Sequence, residues 1–461
     1  MSTRPDDLGD SPLIAGRADL IEAFAEGCKP RSEWTIGTEH EKFVFSTRNL
    51  RAIPYGGDAG IRRILEEMIA RYGWRPVHEN GVIVALKAPA GKNWGGISLE
   101  PGGQLELSGA TLKTVHETCS EVNAHLGQVR AIGKDLGIGF LGLGFQPKWC
   151  LTETPMMPKA RYNIMRNYMP KVGGRGLDMM YRSCTIQVNL DFASEADMVR
   201  KLRVGLALQP IATALFANSP FEHAKPVGFQ SLRSEIWRDT DGDRTGMLPI
   251  AFEDGFGFER YVDYALTVPM YFIVRSGEYI DCAGMSFLDF LDGRLPALPG
   301  EQPTIADWKD HISTIFPEVR AKSFLEMRGA DGGPWDRVCA LPALWVGLLY
   351  DETGLGQAEA LIAEWSASER QALRDGVPRD GLRAQIGQRT VREVARDVLA
   401  IAKGGLKSRA SSDGLGSDET QYLVALERIV ETGQTQSDRL LEKFHGEWAG
   451  EIEPIFRDAQ F

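Results

Sequence analysis

Cysteine is sparse in this chain, and the little there is stands apart. Six cysteines (Cys28, Cys119, Cys150, Cys184, Cys282 and Cys339) are scattered over 461 residues without a CxxC pair. That spacing gives no basis for a structural zinc site or a disulfide framework. Histidine is equally thin: seven residues, too dispersed for a nucleophile triad or a zinc centre. No long apolar run exists, since the longest stretch, about residues 339–350, is too short to span a bilayer and contains Pro342. Basic residues are outnumbered, 52 against 63 acidic, for a formal charge of -11. With no basic stripe interleaved with aromatics, nucleic acid is not an expected partner. A GxxxxGK[ST] motif is absent, which excludes a P-loop NTPase on motif logic. Residues 1–10 are polar and acidic, unlike a signal peptide, so a soluble, cytoplasmic protein without a membrane partner is expected.

What the chain does have is carboxylate on alternating strands. In Trp34-Thr35-Ile36-Gly37-Thr38-Glu39-His40-Glu41-Lys42-Phe43, Glu39 and Glu41 project from one side of a strand, roughly 6 to 7 Å apart along it. Unpaired, they repel; a hard divalent ion such as Mg2+, which takes oxygen ligands, turns that repulsion into binding. His40 points the other way and reads as a packed or hydrogen-bonded residue.

The pattern recurs. Near Glu100, Leu105 and Leu107 oppose Gln104, Glu106 and Ser108. Ile186, Val188 and Leu190 alternate with Thr185, Gln187, Asn189 and Asp191. Leu325 and Met327 oppose Glu326 and Arg328. Four segments thus share an apolar face suited to helices and a polar face of carboxylates and amides. A solvated strand face is the ordinary explanation for any one of them, but three place Glu there, two beside Gly. If one sheet carries all four, its polar face is a polyanionic cavity.

Amphipathic helices are marked by Ile61, Ile64, Leu65 and Met68, by Leu112, Val115, Cys119, Val122, Leu126 and Val129, and by a segment at about residues 196–215. The irregular mixture of strands and helices predicts an α+β fold. Candidate site residues run from Glu39 to Arg328, so one catalytic domain over 1–461 is expected, with a mainly helical C-terminal portion at about 351–461 and a mobile loop at 403–416. Two Gly-rich stretches, Val172–Gly176 and Gly329–Pro334, are either turns or phosphate cradles, the second favoured for the latter because it follows Glu326 and Arg328. Arg328 beside a metal-binding carboxylate suits a clamp for a transferring phosphoryl group. Arg182 and Arg233 suit bidentate capture of a substrate carboxylate, with a plain ion pair as the alternative. Mg2+-binding carboxylates, arginines and no P-loop fit an ATP-dependent ligase that activates a carboxylate as an acyl phosphate; a metal-dependent hydrolase shares those parts.

The segments IGTEHEKF, ISLEPGGQLELSGA, CTIQVNLDF, LALQPIATALFANSPF, DTDGDRTGMLP, FGFERYVDYAL and LEMRGADGGPW, in order along nearly the whole chain, closely resemble the plant and proteobacterial class of glutamate–cysteine ligase. The resemblance implies a glutamine-synthetase-like carboxylate–amine ligase fold: a largely antiparallel curved sheet with helices on its apolar face. It implies that the glutamate γ-carboxylate takes the γ-phosphoryl of ATP and that the amine of cysteine displaces phosphate, giving γ-glutamylcysteine, the first step of glutathione synthesis. Carried over by motif, Glu39, Glu41, Glu100, Glu106 and Glu326 are metal ligands for Mg2+, Gln187 and Asn189 line the site, and Arg328 stabilises the transferred phosphoryl. Arg182 and Arg233 are assigned to the glutamate carboxylates on residue chemistry. Plant members carry a chloroplast transit segment and disulfide control; no transit segment is evident here and the cysteines match no regulatory pair, so a bacterial cytoplasmic enzyme, monomer or homodimer, is expected. The alternative is a related ligase joining glutamate to another amine. A catalytically dead amino-acid-binding protein is disfavoured by the intact set of Glu39, Glu41, Glu106, Glu326 and Arg328.

Overall fold

The computed structural model describes residues 11–461; the polar stretch read at residues 1–10 lies outside them. One nine-stranded sheet organises the chain. Its strands, in chain order, are β1 (Ile36–Ser46), β2 (Arg75–Glu79), β3 (Val82–Lys87), β4 (Gly96–Leu99), β5 (Leu105–Ser108), β6 (Ile138–Leu141), β7 (Thr185–Leu190), β8 (Val319–Ala321) and β9 (Leu325–Asp331). The spatial order is β8-β9-β7-β1-β5-β4-β3-β2, with β6 alongside the end of β1, and every pairing is antiparallel. The fold is α+β.

The apolar positions of the central strands, among them Ile186, Val188, Leu190, Leu325 and Met327, are fully buried. They are covered by three helices: α1 (Val115–Leu136), α2 (Glu195–Leu215) and α3 (Trp335–Leu349). Helix α1 is bounded by chemistry that the sequence carries. Thr114 Oγ1 accepts from the Glu117 amide at 3.1 Å and Glu117 returns the bond to the Thr114 amide at 3.0 Å, while Gly137, at φ 69°, ends the last turn. Burying one face of such helices on a pleated sheet removes apolar surface from water at about 25 cal/mol per Å2, which outweighs their marginal intrinsic stability.

His40 and Lys42 point to this helix-covered side and are buried, Lys42 Nζ lying 3.2 Å from His40 Nδ1. All six cysteines are free, and Cys184 is fully buried. The C-terminal third is mainly helical, but one expectation there fails. The helix Val391–Arg409 runs through Lys403, Gly404 and Gly405, so the irregular stretch begins only at Ala410. Burial of Val394, Val398, Leu399, Ala402 and Leu406 on one face outweighs the cost of roughly 1 kcal/mol per glycine. Among the described residues no helix is long and apolar enough to cross a membrane.

Candidate active site

The antiparallel register sets the four polar-faced strands side by side, three bearing carboxylates and β7 bearing amides. Glu41 stands opposite Glu106, Glu39 lies between Ser108 on one side and Gln187 on the other, and Glu326 stands opposite Asn189. Glu39 and Glu41 leave one face of β1 together, as strand geometry requires. Gly37 pairs with Asn189, and a Cβ there would come within 3.2 Å of the Asn189 side chain. That gap lets Asn189 Nδ2 donate to Glu39 Oε1 at 3.0 Å.

The acids are withdrawn from water. Burial, reinforced by Glu106 and Glu326, raises the Glu39 carboxyl above the ordinary carboxylate range. Burial, then Glu100 and Glu106, raises Glu41 well above it. Burial also raises Glu100. Glu326 is the opposite case: burial works to raise it, but Arg320, Lys322 and Arg328 override burial and hold it well below that range. Glu106 accepts from Ser98 Oγ at 3.1 Å and from Ser108, and Glu41 Oε2 accepts the Thr185 amide at 2.9 Å.

Glu41, Glu100, Gln187, Arg233, Trp237 and Arg328 line one cleft of about 480 Å3, with Glu39, Glu106 and Glu326 beside it on the same strands. Arg328 Nη1 donates to Gln187 Oε1 at 2.9 Å and pairs with Glu326. Its guanidinium lies 5.7 Å from the Trp237 ring and 5.5 Å from that of Phe316. Arg233 Nη2 donates to the Arg328 carbonyl at 2.9 Å. Its buried Nε has no partner among the described residues.

Arg182 does not join this group. Its Nη1 donates to Asp178 at 2.7 Å and Glu222 at 3.0 Å, and its guanidinium stacks on Phe145 at 4.7 Å. Acids from its own helix and from residue 222 engage its Nη1, while its buried Nε and Nη2 have no partner among the described residues. The two Gly-rich stretches are also structural. Gly173 packs on the Thr240 backbone and Gly174 on the Asp239 carboxylate, with the Gly174 amide 3.0 Å from Asp239 Oδ1. Gly329 belongs to β9, and a Cβ on it would meet Gln209 Nε2 at 2.3 Å. Gly332 donates to the Cys184 carbonyl. The favoured phosphate cradle is therefore a buried strand end, where glycine permits close packing.

Several functional candidates went unnoticed in the sequence. Arg320 and Lys322 lie on one face of the Val319-Arg320-Ala321-Lys322 alternation and both reach Glu326, at 2.7 and 3.0 Å. That alternation was a usable signal. Asp331 was hidden inside the Gly-rich segment; it accepts from the Asn218 amide, Ser219 Oγ and Ser231 Oγ at 2.8, 2.6 and 2.7 Å.

The donors present fit Mg2+. Among the described residues no three His, Cys, Asp or Glu side chains stand ready to hold one ion between them. Mg2+, however, needs only one or two protein carboxylates when substrate phosphates and water complete its octahedron. Pairs of carboxylates on facing strands supply that number, and the buried Asn189 Oδ1, without a partner among the described residues, is a further oxygen donor beside Glu39.

Comparison with known proteins follows the same line. Residues 35–458 match the sequence model of glutamate–cysteine ligase family 2. The chloroplastic glutamate–cysteine ligase of Brassica juncea is 57% identical over 442 residues, 96% of this chain and 84% of that one. Its Arabidopsis thaliana counterpart is also 57% identical, over 96% and 82% of the two chains. A crystal structure of glutamate–cysteine ligase from Francisella tularensis in complex with AMP shares the fold, with a TM-score of 0.55 at 12% identity over 92% of this chain and 87% of that one. The chloroplastic relatives correct one expectation. Those proteins are chloroplastic and give no support to the cytoplasm. The cytoplasmic reading rested on the composition of ten residues, whereas a compartment is set by receptor-read addresses that fold physics does not encode.

Proposed function

The chain belongs to glutamate–cysteine ligase family 2, and from that premise we propose how its carboxylate sheet carries out the ATP-dependent joining of glutamate to cysteine. The observation that carries the reading is the register of β1 with β5 and β7, which sets Glu41 against Glu106 and Glu39 beside Gln187, next to the Arg233 and Arg328 guanidiniums. Glu39, Glu41, Glu100, Glu106 and Glu326 are the residues that would hold Mg2+, which when bound would supply positive charge to the phosphate oxygens.

Arg233, with an idle buried Nε, captures a carboxylate of glutamate. Arg328, steadied by Gln187 and Glu326, presents its planar fork to the γ-phosphoryl as charge develops on the equatorial oxygens. The γ-carboxylate oxygen of glutamate attacks phosphorus, and the bond to the β-phosphate bridging oxygen breaks to release ADP. The amine of cysteine then attacks the acyl carbon, phosphate leaves, and the amine loses a proton. Trp237 and Phe316 give the cleft an apolar wall suited to a thiol side chain. Burial of the strands keeps water from the acyl phosphate, which would otherwise hydrolyse.

The test is a coupled assay for ADP release with glutamate and a panel of amines, alongside oxygen-18 transfer from the glutamate γ-carboxylate into phosphate. Cysteine-dependent ADP release with label transfer is the expected result. Release of AMP and pyrophosphate would replace the acyl phosphate with an adenylate, and turnover with a different amine alone would select the alternative acceptor.

A further inference from the structure

Glu326 is surrounded by more positive charge than one carboxylate needs. Arg320 bonds both its oxygens, with Nη2 at 2.8 and 2.7 Å and Nε at 3.2 Å. Lys322 Nζ stands 3.0 Å away, and Arg328 pairs with it from the same strand. Three cations gather on this one anion, and Glu39 is the other acid facing Lys322, so positive charge is concentrated at the Glu326 end of an otherwise acidic sheet face. A buried site with excess positive charge next to a substrate cleft is built to receive an anion.

The three cations are not equally committed. Arg320 is also tied by Nη1 to the carbonyls of Ser313 and Ile315, at 2.6 and 3.1 Å, and its side chain is 4% exposed. It fixes the position of Glu326. Arg328 is tied to Gln187. Lys322 makes a side-chain hydrogen bond to Glu326 alone among the described residues, and at 18% its side chain is the most exposed of the three. Its backbone is held in the β8–β9 turn by a 2.8 Å bond to the Phe324 carbonyl, so the ammonium can swing without the turn moving. A lysine is a compact point charge on a flexible four-carbon stem, suited to following a phosphate oxygen, whereas the bidentate Arg320 is suited to staying.

We propose that Lys322 is a ligand for the polyphosphate of a nucleoside triphosphate, released from Glu326 when the nucleotide enters. Arg320 is the positioning residue that keeps Glu326 in place as Lys322 leaves. This rests on the ATP-dependent reading above. On that reading Glu326 is one of the residues that would hold Mg2+, whose charge would take the place of its third cation.

The experiment measures equilibrium binding by calorimetry with the full chain in Mg2+, using β,γ-imido-ATP and AMP as probes, for the parent protein, Lys322→Met, Lys322→Gln and Lys322→Arg. The expected result is a loss of about ten-fold or more in affinity for the triphosphate analogue in the Met and Gln variants, with AMP changed by less than about two-fold and Arg restoring most of the loss. Thermal unfolding should stay close to that of the parent. Triphosphate affinity within about two-fold of the parent in either neutral variant, or equal losses for AMP and the analogue, would overturn the proposal while leaving the ligase reading intact. A parent protein that binds neither probe would overturn both together.

Discussion

Glu41 of β1 and Glu106 of β5 are directly opposite each other in the sheet, two buried carboxylates in register. Burial, then Glu100 and Glu106, raises the Glu41 carboxyl, so its ionised form is held at a cost to stability that catalysis recovers. Glu41→Gln keeps the shape and can still accept the Thr185 amide bond. Its expected effect is a Tm about 1 to 3 °C higher in metal-free protein, with activity down by at least about 10²-fold. Thermal unfolding in a chelator and steady-state rates measure the two. A lower Tm with normal turnover would make Glu41 an ordinary structural acid.

Arg328 separates a phosphate clamp from an ion pair. Arg328→Lys keeps the charge near Glu326 but loses the planar fork, so kcat should drop roughly 10²-fold while Tm shifts by less than about 2 °C. A fall in Tm with kcat intact at saturating substrates would assign it to the ion pair with Glu326 alone.

Asp331 organises the ground beneath Arg233. Ser219 Oγ both donates to Asp331 and accepts the Arg233 amide at 3.2 Å, while Ser231 Oγ holds the second Asp331 oxygen. Asp331→Asn leaves at least one of these donors unsatisfied, at a cost of about 1.5 to 3 kcal/mol. If this hub places Arg233, KM for glutamate rises more than kcat falls. Denaturant unfolding together with initial-rate kinetics separates that outcome from destabilisation alone.

His311 should contribute to the loss of stability in mild acid. It is buried against Phe287 and Trp308, with Nε2 2.9 Å from the Ala265 carbonyl. Burial, opposed in part by that bond, pushes its imidazole down to about 4. A folded value below the unfolded one means that the neutral ring's stability is fully present above about pH 6.5 and is lost as pH falls toward 4, on the order of 3 kcal/mol in all. His311→Gln should therefore flatten the unfolding free energy between those limits. An unchanged slope would place the acid sensitivity elsewhere.

The sequence alone determined that Glu39 and Glu41 share a face, that His40 opposes them, and that the strands around Gln187 and Glu326 repeat the pattern, because side-chain alternation is a property of a few consecutive residues. Its long motifs likewise carried the ligase family that the comparisons bear out. What stands across from each acid belongs to the tertiary structure. The pairing of Glu41 with Glu106 and of Glu326 with Asn189 joins residues 65 and 137 positions apart, and no local rule sets such a register. Arg182 and Arg233 looked alike as isolated arginines. Only packing showed that Asp178 and Glu222 hold the first through its Nη1, away from the residues that line the cleft, while the second is one of those residues. Gly329–Pro334 read as a turn or a phosphate cradle because glycine permits many backbones, and the side chain of Gln209 and the backbone of Cys184 are what press Gly329 and Gly332 into a buried strand end. The excess charge on Glu326 was equally invisible, since it arises where the β8–β9 turn folds Arg320 and Lys322 back onto a carboxylate that the linear chain had already paired with Arg328.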